Sequence, residues 1–126
     1  MDTTSAMDWV DRYIAAWRRS NAADLEDLFT PDIAYRTSPY DPPMVGHPAL
    51  AEFWVGDAGR DFTAEAIPIT VQDERAVIRV EVVYRTPQHS EYRDLWLLRF
   101  AADGRVADFE EWAYWPGRPH TAGSDG

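Results

Sequence analysis

Two aromatic-rich stretches, Tyr92 to Phe100 and Val106 to Trp115, flank an Asp103-Gly104 pair. No other feature constrains the fold as strongly. Asp-Gly between alternating apolar runs is the strongest short-range signal for a β-hairpin, so both stretches are expected to be long antiparallel strands. Neighbouring strand residues point to opposite faces. Tyr92, Asp94, Trp96, Leu98 and Phe100 therefore share one face, opposite Arg93, Leu95, Leu97 and Arg99. Past the turn, Phe109, Glu111, Ala113 and Trp115 oppose Asp108, Glu110, Trp112 and Tyr114. Each face is mostly apolar yet carries charge. A sheet curled around a pocket reads this way, and so does a sheet whose far side meets a partner.

Upstream, Ser5-Ala6-Met7-Asp8 resembles a capping box. Trp9, Val10, Tyr13, Ile14 and Trp17 then follow helical spacing. Asn21 is placed to cap a second short helix carrying Leu25, Leu28 and Phe29, and Ile33 to Thr37 reads as a short strand. The prolines at 39, 42 and 43 make Ser38 to Pro43 a loop. His47, followed by Pro48, starts a third helix with Leu50, Phe53 and Trp54 on its apolar face, ended by Gly56 and Gly59. Strands are expected over Phe62 to Val71 and Ala76 to Arg85, with turns at Gln72-Asp73-Glu74 and Pro87-Gln88-His89. Helices followed by a run of strands argue an α+β domain. One domain is expected over residues 1–116, followed by a flexible tail over 117–126.

The formal net charge of -10 makes nucleic acid and anionic membrane poor partners. The absence of cysteine excludes disulfides and thiolate chemistry. No apolar run approaches the roughly 20 residues of a membrane-spanning helix. The start of the chain lacks the basic and apolar blocks of a signal peptide, and a cytoplasmic location is expected. The three histidines have no zinc-like spacing, and phosphate-loop, nucleophile-elbow and triad signatures are missing. Neither metal nor cofactor is expected.

Three segments carry a family likeness: Arg12-Tyr13-Ile14; Leu28 to Asp32 leading into Pro42-Pro43-Met44-Val45-Gly46; and Arg99-Phe100 through Asp103-Gly104-Arg105. With them the chain resembles the nuclear transport factor 2-like superfamily, in its SnoaL-like branch, from Trp9 to Trp115. The resemblance implies a cone-shaped curved mixed β-sheet of about five strands, mostly antiparallel, closed by three N-terminal helices around an apolar pocket. It also implies a homodimer through the outer sheet face. Cyclases, dehydratases, epoxide hydrolases, isomerases and binders share this fold, so the fold alone does not choose among them. Within the superfamily, the oxyanion-donating tyrosine of ketosteroid isomerases falls on Tyr13. The place of their base aspartate falls on Thr37 or Ser38, and that of their second oxyanion donor on Trp96. Without that base and donor, ketosteroid isomerase activity of that kind is not expected.

The likeness also fixes which face looks inward. Asp94, Trp96 and Leu98 would face the cone interior with Ile78, Val80, Val82 and Tyr84, and with Phe109, Glu111, Ala113 and Trp115. The opposite choice would enclose Arg79, Glu81, Arg93 and Arg99, each then needing a partner. Asp94 and Glu111 become candidate catalytic carboxylates, since an apolar cavity and mutual repulsion push their pKa values apart. Tyr13 is a candidate donor to a carbonyl or oxyanion. Trp17, Tyr35, Tyr40, Trp54, Tyr84, Trp96 and Trp115 are candidate pocket walls, joined by Ile78, Val80 and Phe109. Arg36 is read as a surface ion-pair residue. Two functions are compatible with these residues. One is a cofactor-independent enzyme moving protons on an apolar cyclic substrate (isomerase, cyclase or lyase type). The other is a binding or dimeric interaction module for an apolar metabolite. A carboxylate with a perturbed pKa inside a cavity favours the first; carboxylates tied up in ion pairs favour the second.

Overall fold

The computed structural model describes residues 1–56, 61–85 and 89–117. The first helix, α1, runs Thr3–Arg19. It starts earlier than expected because Asp2, not Ser5, caps it: the Asp2 carboxylate accepts from the Ser5 N–H at 2.7 Å. Trp9, Tyr13 and Trp17 recur every fourth residue and line one side of the helix. Asn21 caps a short 3-10 turn at Ala22–Asp24, which runs into α2, Leu25–Leu28. Phe29 belongs to the following strand rather than to this helix.

That strand, β1, spans Phe29–Arg36, with a register break between Phe29 and Ala34 that accommodates Pro31. Met44–Val45 forms β2, a two-residue strand paired antiparallel to β1. It has no alternating pattern long enough to be legible in sequence. Gly46 turns the chain with φ 87°, donating its N–H to Ile33 O at 2.9 Å, into α3, His47–Gly56. His47 lies in the helix's first turn, its Nε2 3.0 Å from Phe29 O. Strands β3 (Phe62–Gln72), β4 (Arg75–Tyr84), β5 (Ser90–Phe100) and β6 (Val106–Tyr114) follow. Gly59, residues 87–88 of the expected turn and 118–126 of the expected tail lie outside the described residues.

The sheet therefore has six strands, one more than expected, in the order β2-β1-β6-β5-β4-β3. β1 and β6 pair in parallel; the other neighbours are antiparallel. The hairpin turn holds Gly104 at φ 88°, and Asp103 accepts from the Arg105 N–H at 3.0 Å. A bulge at Ala107 lets Arg99 face Asp108 while Phe100 faces Val106. It keeps both Val106 and Phe109 on the inner side despite their odd separation. Such bulges bend strands and sharpen twist, and a second lies between Pro68 and Thr70.

Burial alternates along β4 and β5 as expected. Ala76, Ile78, Val80 and Val82 are buried, as are Asp94, Trp96, Leu98 and Phe100. The arginines look away: Arg79 and Arg93 both meet Glu81, at 3.4 and 3.9 Å. Arg36 meets Asp108 across the β1–β6 pair at 3.6 Å. The concave face receives α1. Trp9 plugs one end of it, edge-on to Phe29 and Phe100, with its indole N–H donated to Leu28 O at 2.9 Å. Trp17 lies two turns further along, against Phe62, Tyr84 and Trp96.

Candidate active site

Between Trp17 and the concave sheet lies a cavity of about 260 Å³. The helices supply Tyr13, Trp17, Phe53 and Trp54 to its wall, and β1 supplies Tyr35. The sheet supplies Val82, Tyr84, Tyr92, Asp94, Trp96 and, from β6, Glu111 and Ala113. Eight of these twelve side chains are aromatic, and the two charged ones are both acidic.

Register explains why these side chains meet. Val80, Asp94 and Ala113 form one cross-strand row; Ile78, Trp96 and Glu111 form the next. Same-face side chains in adjacent rows of a sheet lie close enough to interact. The Trp96 indole N–H donates to Glu111 Oε2 at 3.1 Å. Asp94 is only 6% exposed. Its pKa is pushed up to about 9, first by loss of solvation, then by the Glu111 charge and the hydrogen bond to Glu111. Asp94 is therefore held toward its protonated form, beside a Glu111 whose Oε2 accepts from the Trp96 indole. The Asp94 Oδ1 has no hydrogen-bond partner.

A second polar feature is contributed by Tyr13 and Tyr35, whose hydroxyls are hydrogen-bonded at 2.8 Å. Tyr13 sits at the centre of the aromatic cluster, stacked on Trp9 at 5.2 Å and edge-on to Trp96 at 5.2 Å. Tyr35 stacks on Phe109 at 4.4 Å. A phenol pair can donate to a ligand oxygen while one ring holds the other in place.

The structure thus brings Asp94, Glu111, Tyr13, Trp17, Tyr35, Trp54, Tyr84 and Trp96 to one cavity. Five other sequence candidates lie elsewhere. Tyr40 is 98% exposed, carried outward by its proline-rich loop. Ile78, Val80 and Phe109 are on the inner face but fully buried, Phe109 packing against Trp9 and Tyr13. Trp115 packs edge-on against Tyr92, outside the cavity wall. Phe53 and Tyr92 were missed as wall residues. Tyr92 shares the inward parity of Asp94, which was the available signal. Phe53 is 41% exposed on α3 and packs against Tyr35; no periodicity reveals a rim position of this kind. Among the described residues, no three His, Cys, Asp or Glu side chains converge as a metal site requires. No helix among them is long and apolar enough to cross a membrane.

An α+β cone with helices over a curled six-stranded sheet and an interior cavity is the nuclear transport factor 2-like architecture. The family model of the SnoaL-like domain matches residues 10–109, and the chain belongs to that family. No curated protein matches the chain at a significant level of sequence similarity. Solved structures similar in fold include an LEH-like epoxide hydrolase from M. tuberculosis (14% identity, 89% of this chain and 84% of that one, TM-score 0.68). Another is a ketosteroid isomerase-like protein from Erwinia carotovora atroseptica (20% identity, 92% and 100% covered, TM-score 0.66). A third is SalBIII, an epoxide hydrolase/cyclase-like enzyme of pyran ring formation in the polyether salinomycin (12% identity, 90% and 92% covered, TM-score 0.72). At these identities the solved structures show the shared fold, and the family model shows the family.

Proposed function

We propose that the protein is a cofactor-independent enzyme that moves protons on an apolar cyclic substrate, as an isomerase, cyclase or lyase. One observation carries this reading: a buried Asp94, its pKa pushed up by desolvation and by Glu111, stands beside Glu111 in the wall of an aromatic cavity. Two like groups whose environments separate their protonation states make an acid and a base at one pH. Glu111 takes a proton from carbon beside a substrate carbonyl. The Tyr13–Tyr35 hydroxyl pair donates to the oxygen on which charge develops. Asp94 returns a proton to a second carbon, and the proton on Glu111 then passes to Asp94 along their hydrogen bond. The pair is thereby reset with no proton gained or lost. A cavity of about 260 Å³ exceeds the ~150 Å³ that accommodates benzene, which supports a substrate of one or two rings.

The test is exchange of carbon-bound hydrogen in deuterated water, followed by NMR over a panel of cyclic ketones. The wild-type chain is expected to accelerate exchange on at least one member. Glu111→Gln, its fold checked by circular dichroism, is expected to lower that rate by about 100-fold or more. If Glu111→Gln and Asp94→Asn both match the wild-type rate, the catalytic assignment is wrong. If the panel shows no exchange at all, the binding-module reading takes its place, since aromatic walls alone suffice to hold an apolar metabolite. The reading extends to assembly. The outer face offers half-exposed Leu95, Leu97, Trp112 and Tyr114 beside the Arg79–Glu81–Arg93 ion pairs. This mixture suits a second copy of the chain.

A further inference from the structure

The cavity wall combines three features that favour one kind of ligand. The first is the aromatic rings of Trp17, Trp54, Trp96, Tyr84 and Tyr92 around a single space. Ring faces carry the negative end of the aromatic quadrupole and attract cations, most strongly where water is excluded. The second is charge. Asp94 and Glu111 are acidic, and no basic side chain lines the cavity among the described residues. All twelve cationic side chains of this chain are arginines. Those adjacent in sequence to wall residues point elsewhere: Arg12 meets Asp8, Arg36 meets Asp108, Arg93 meets Glu81 on the outer face, Arg18 lies over the Phe62 ring and donates to Phe62 O, and Arg85 is exposed. An anionic ligand would meet acidic groups and ring faces with no basic partner in the wall.

The third feature is the Asp94 Oδ1, 94% shielded with its residue and lacking any partner. With the Asp94 proton directed to Glu111, this oxygen is a bare acceptor. A buried acceptor left unmatched is costly, and it is matched only by a ligand that donates. A hydroxyl would supply a donor but would gain nothing from the ring faces or from the acidic wall. A protonated amine satisfies all three features together.

We propose that this cavity selects a ligand bearing a protonated amine on or beside an apolar ring, its N–H donated to Asp94 Oδ1 and its charge held by the ring faces and Glu111. The inference rests on the site assigned above but not on its catalytic role. Three probes of one shape test it against the full-length chain at pH 7: tetrahydroisoquinoline, which is cationic; tetralin, which is neutral; and a tetralin carboxylate, which is anionic. Binding is read by tryptophan fluorescence, since three tryptophans line the cavity. The amine is expected to bind roughly tenfold or more tightly than tetralin, with the carboxylate weakest. Glu111→Gln should remove most of the amine's advantage while tetralin binding, the control for an intact cavity, stays within about twofold. Amine binding equal to or weaker than tetralin's, or undetectable, would overturn the proposal. So would a preference that survives Glu111→Gln. Amine selectivity without hydrogen exchange on the ketone panel defeats only the catalytic reading. Exchange on neutral ketones without amine preference defeats only this one.

Discussion

Replacing Asp94 by asparagine probes the buried acid directly. In the folded chain the Asp94 carboxyl holds its proton up to about 9, against an ordinary value of 3.8. Between those two values the folded state binds more protons than the unfolded state. Stability is then highest below the unfolded value and is lost as pH rises toward the folded one. One titrating group contributes a slope of at most about 1.4 kcal/mol per pH unit. From pH 5 to pH 7 the wild-type chain is therefore expected to lose up to about 3 kcal/mol through this one group. Asp94→Asn has nearly the same shape, keeps an N–H donor toward Glu111 and cannot titrate. Its stability should lack this decline.

Urea unfolding at pH 5, 6, 7 and 8 and constant ionic strength, read by tryptophan fluorescence, measures the difference. A gap that widens by about 3 kcal/mol corresponds to a relative midpoint shift of roughly 1–3 M, using typical urea slopes. Wild type should lead at low pH or stand level, and the variant should gain on it steadily as pH rises. Parallel curves across the whole window would show that Asp94 ionises normally in the folded chain. The acid of the proposed acid–base pair would then be gone, while Asp94 Oδ1 would remain an acceptor for an amine.

Other consequences are open to test. Trp9→Ala should destabilise by about 3–5 kcal/mol, read by thermal or urea unfolding, because Trp9 is fully buried and donates to Leu28 O; a loss under 1 kcal/mol would mean that Trp9 does not close the cone as described. Tyr13→Phe deletes the hydroxyl bonded to Tyr35 and should cost about 1 kcal/mol of stability. It should lower hydrogen exchange on a responsive ketone by more than its effect on that ketone's affinity; an unchanged rate removes Tyr13 from the oxyanion role. Leu97→Asp on the outer face should convert a dimer to a monomer by analytical ultracentrifugation without altering the cavity, and a wild-type chain that is already monomeric would dispose of the proposed assembly.

The sequence revealed which side of each strand faces inward because the alternative was so unfavourable. Four charged residues on β4 and β5 would have been enclosed, and the structure instead sets Arg79, Glu81 and Arg93 together on the outside. Parity identifies a face but not a depth. On β4 the inward series runs Ala76, Ile78, Val80, Val82, Tyr84, and only the last two reach the cavity. On β6 Phe109 is core, while Glu111 and Ala113 are wall. The division falls where the α1 side chains stop filling the concave face. That boundary depends on how Trp9, Tyr13 and Trp17 seat against six strands, and it leaves no trace in any single strand's pattern. Tyr40 failed for a different reason. Its aromatic character suggested a wall, but the prolines flanking it hold the loop away from the sheet.

The placement of Tyr13 ties fold to function. It belongs to the aromatic row that closes the cone, stacked on Trp9 at one end and on Trp17 at the other, and it also lines the cavity. The residues that exclude water from the core are thus continuous with those that exclude it from Asp94. Desolvation is the first cause of the raised Asp94 pKa, so the acid's chemistry depends on how tightly the helix row packs. Substitutions that loosen α1, such as Trp17→Ala, should admit water beside Asp94 and let its pKa fall, even though Trp17 carries no proton itself. In that variant the wild-type decline in stability between pH 5 and pH 8 should flatten toward the Asp94→Asn curve. A decline of unchanged slope would mean that the Glu111 charge alone, not the dry aromatic wall, keeps Asp94 neutral.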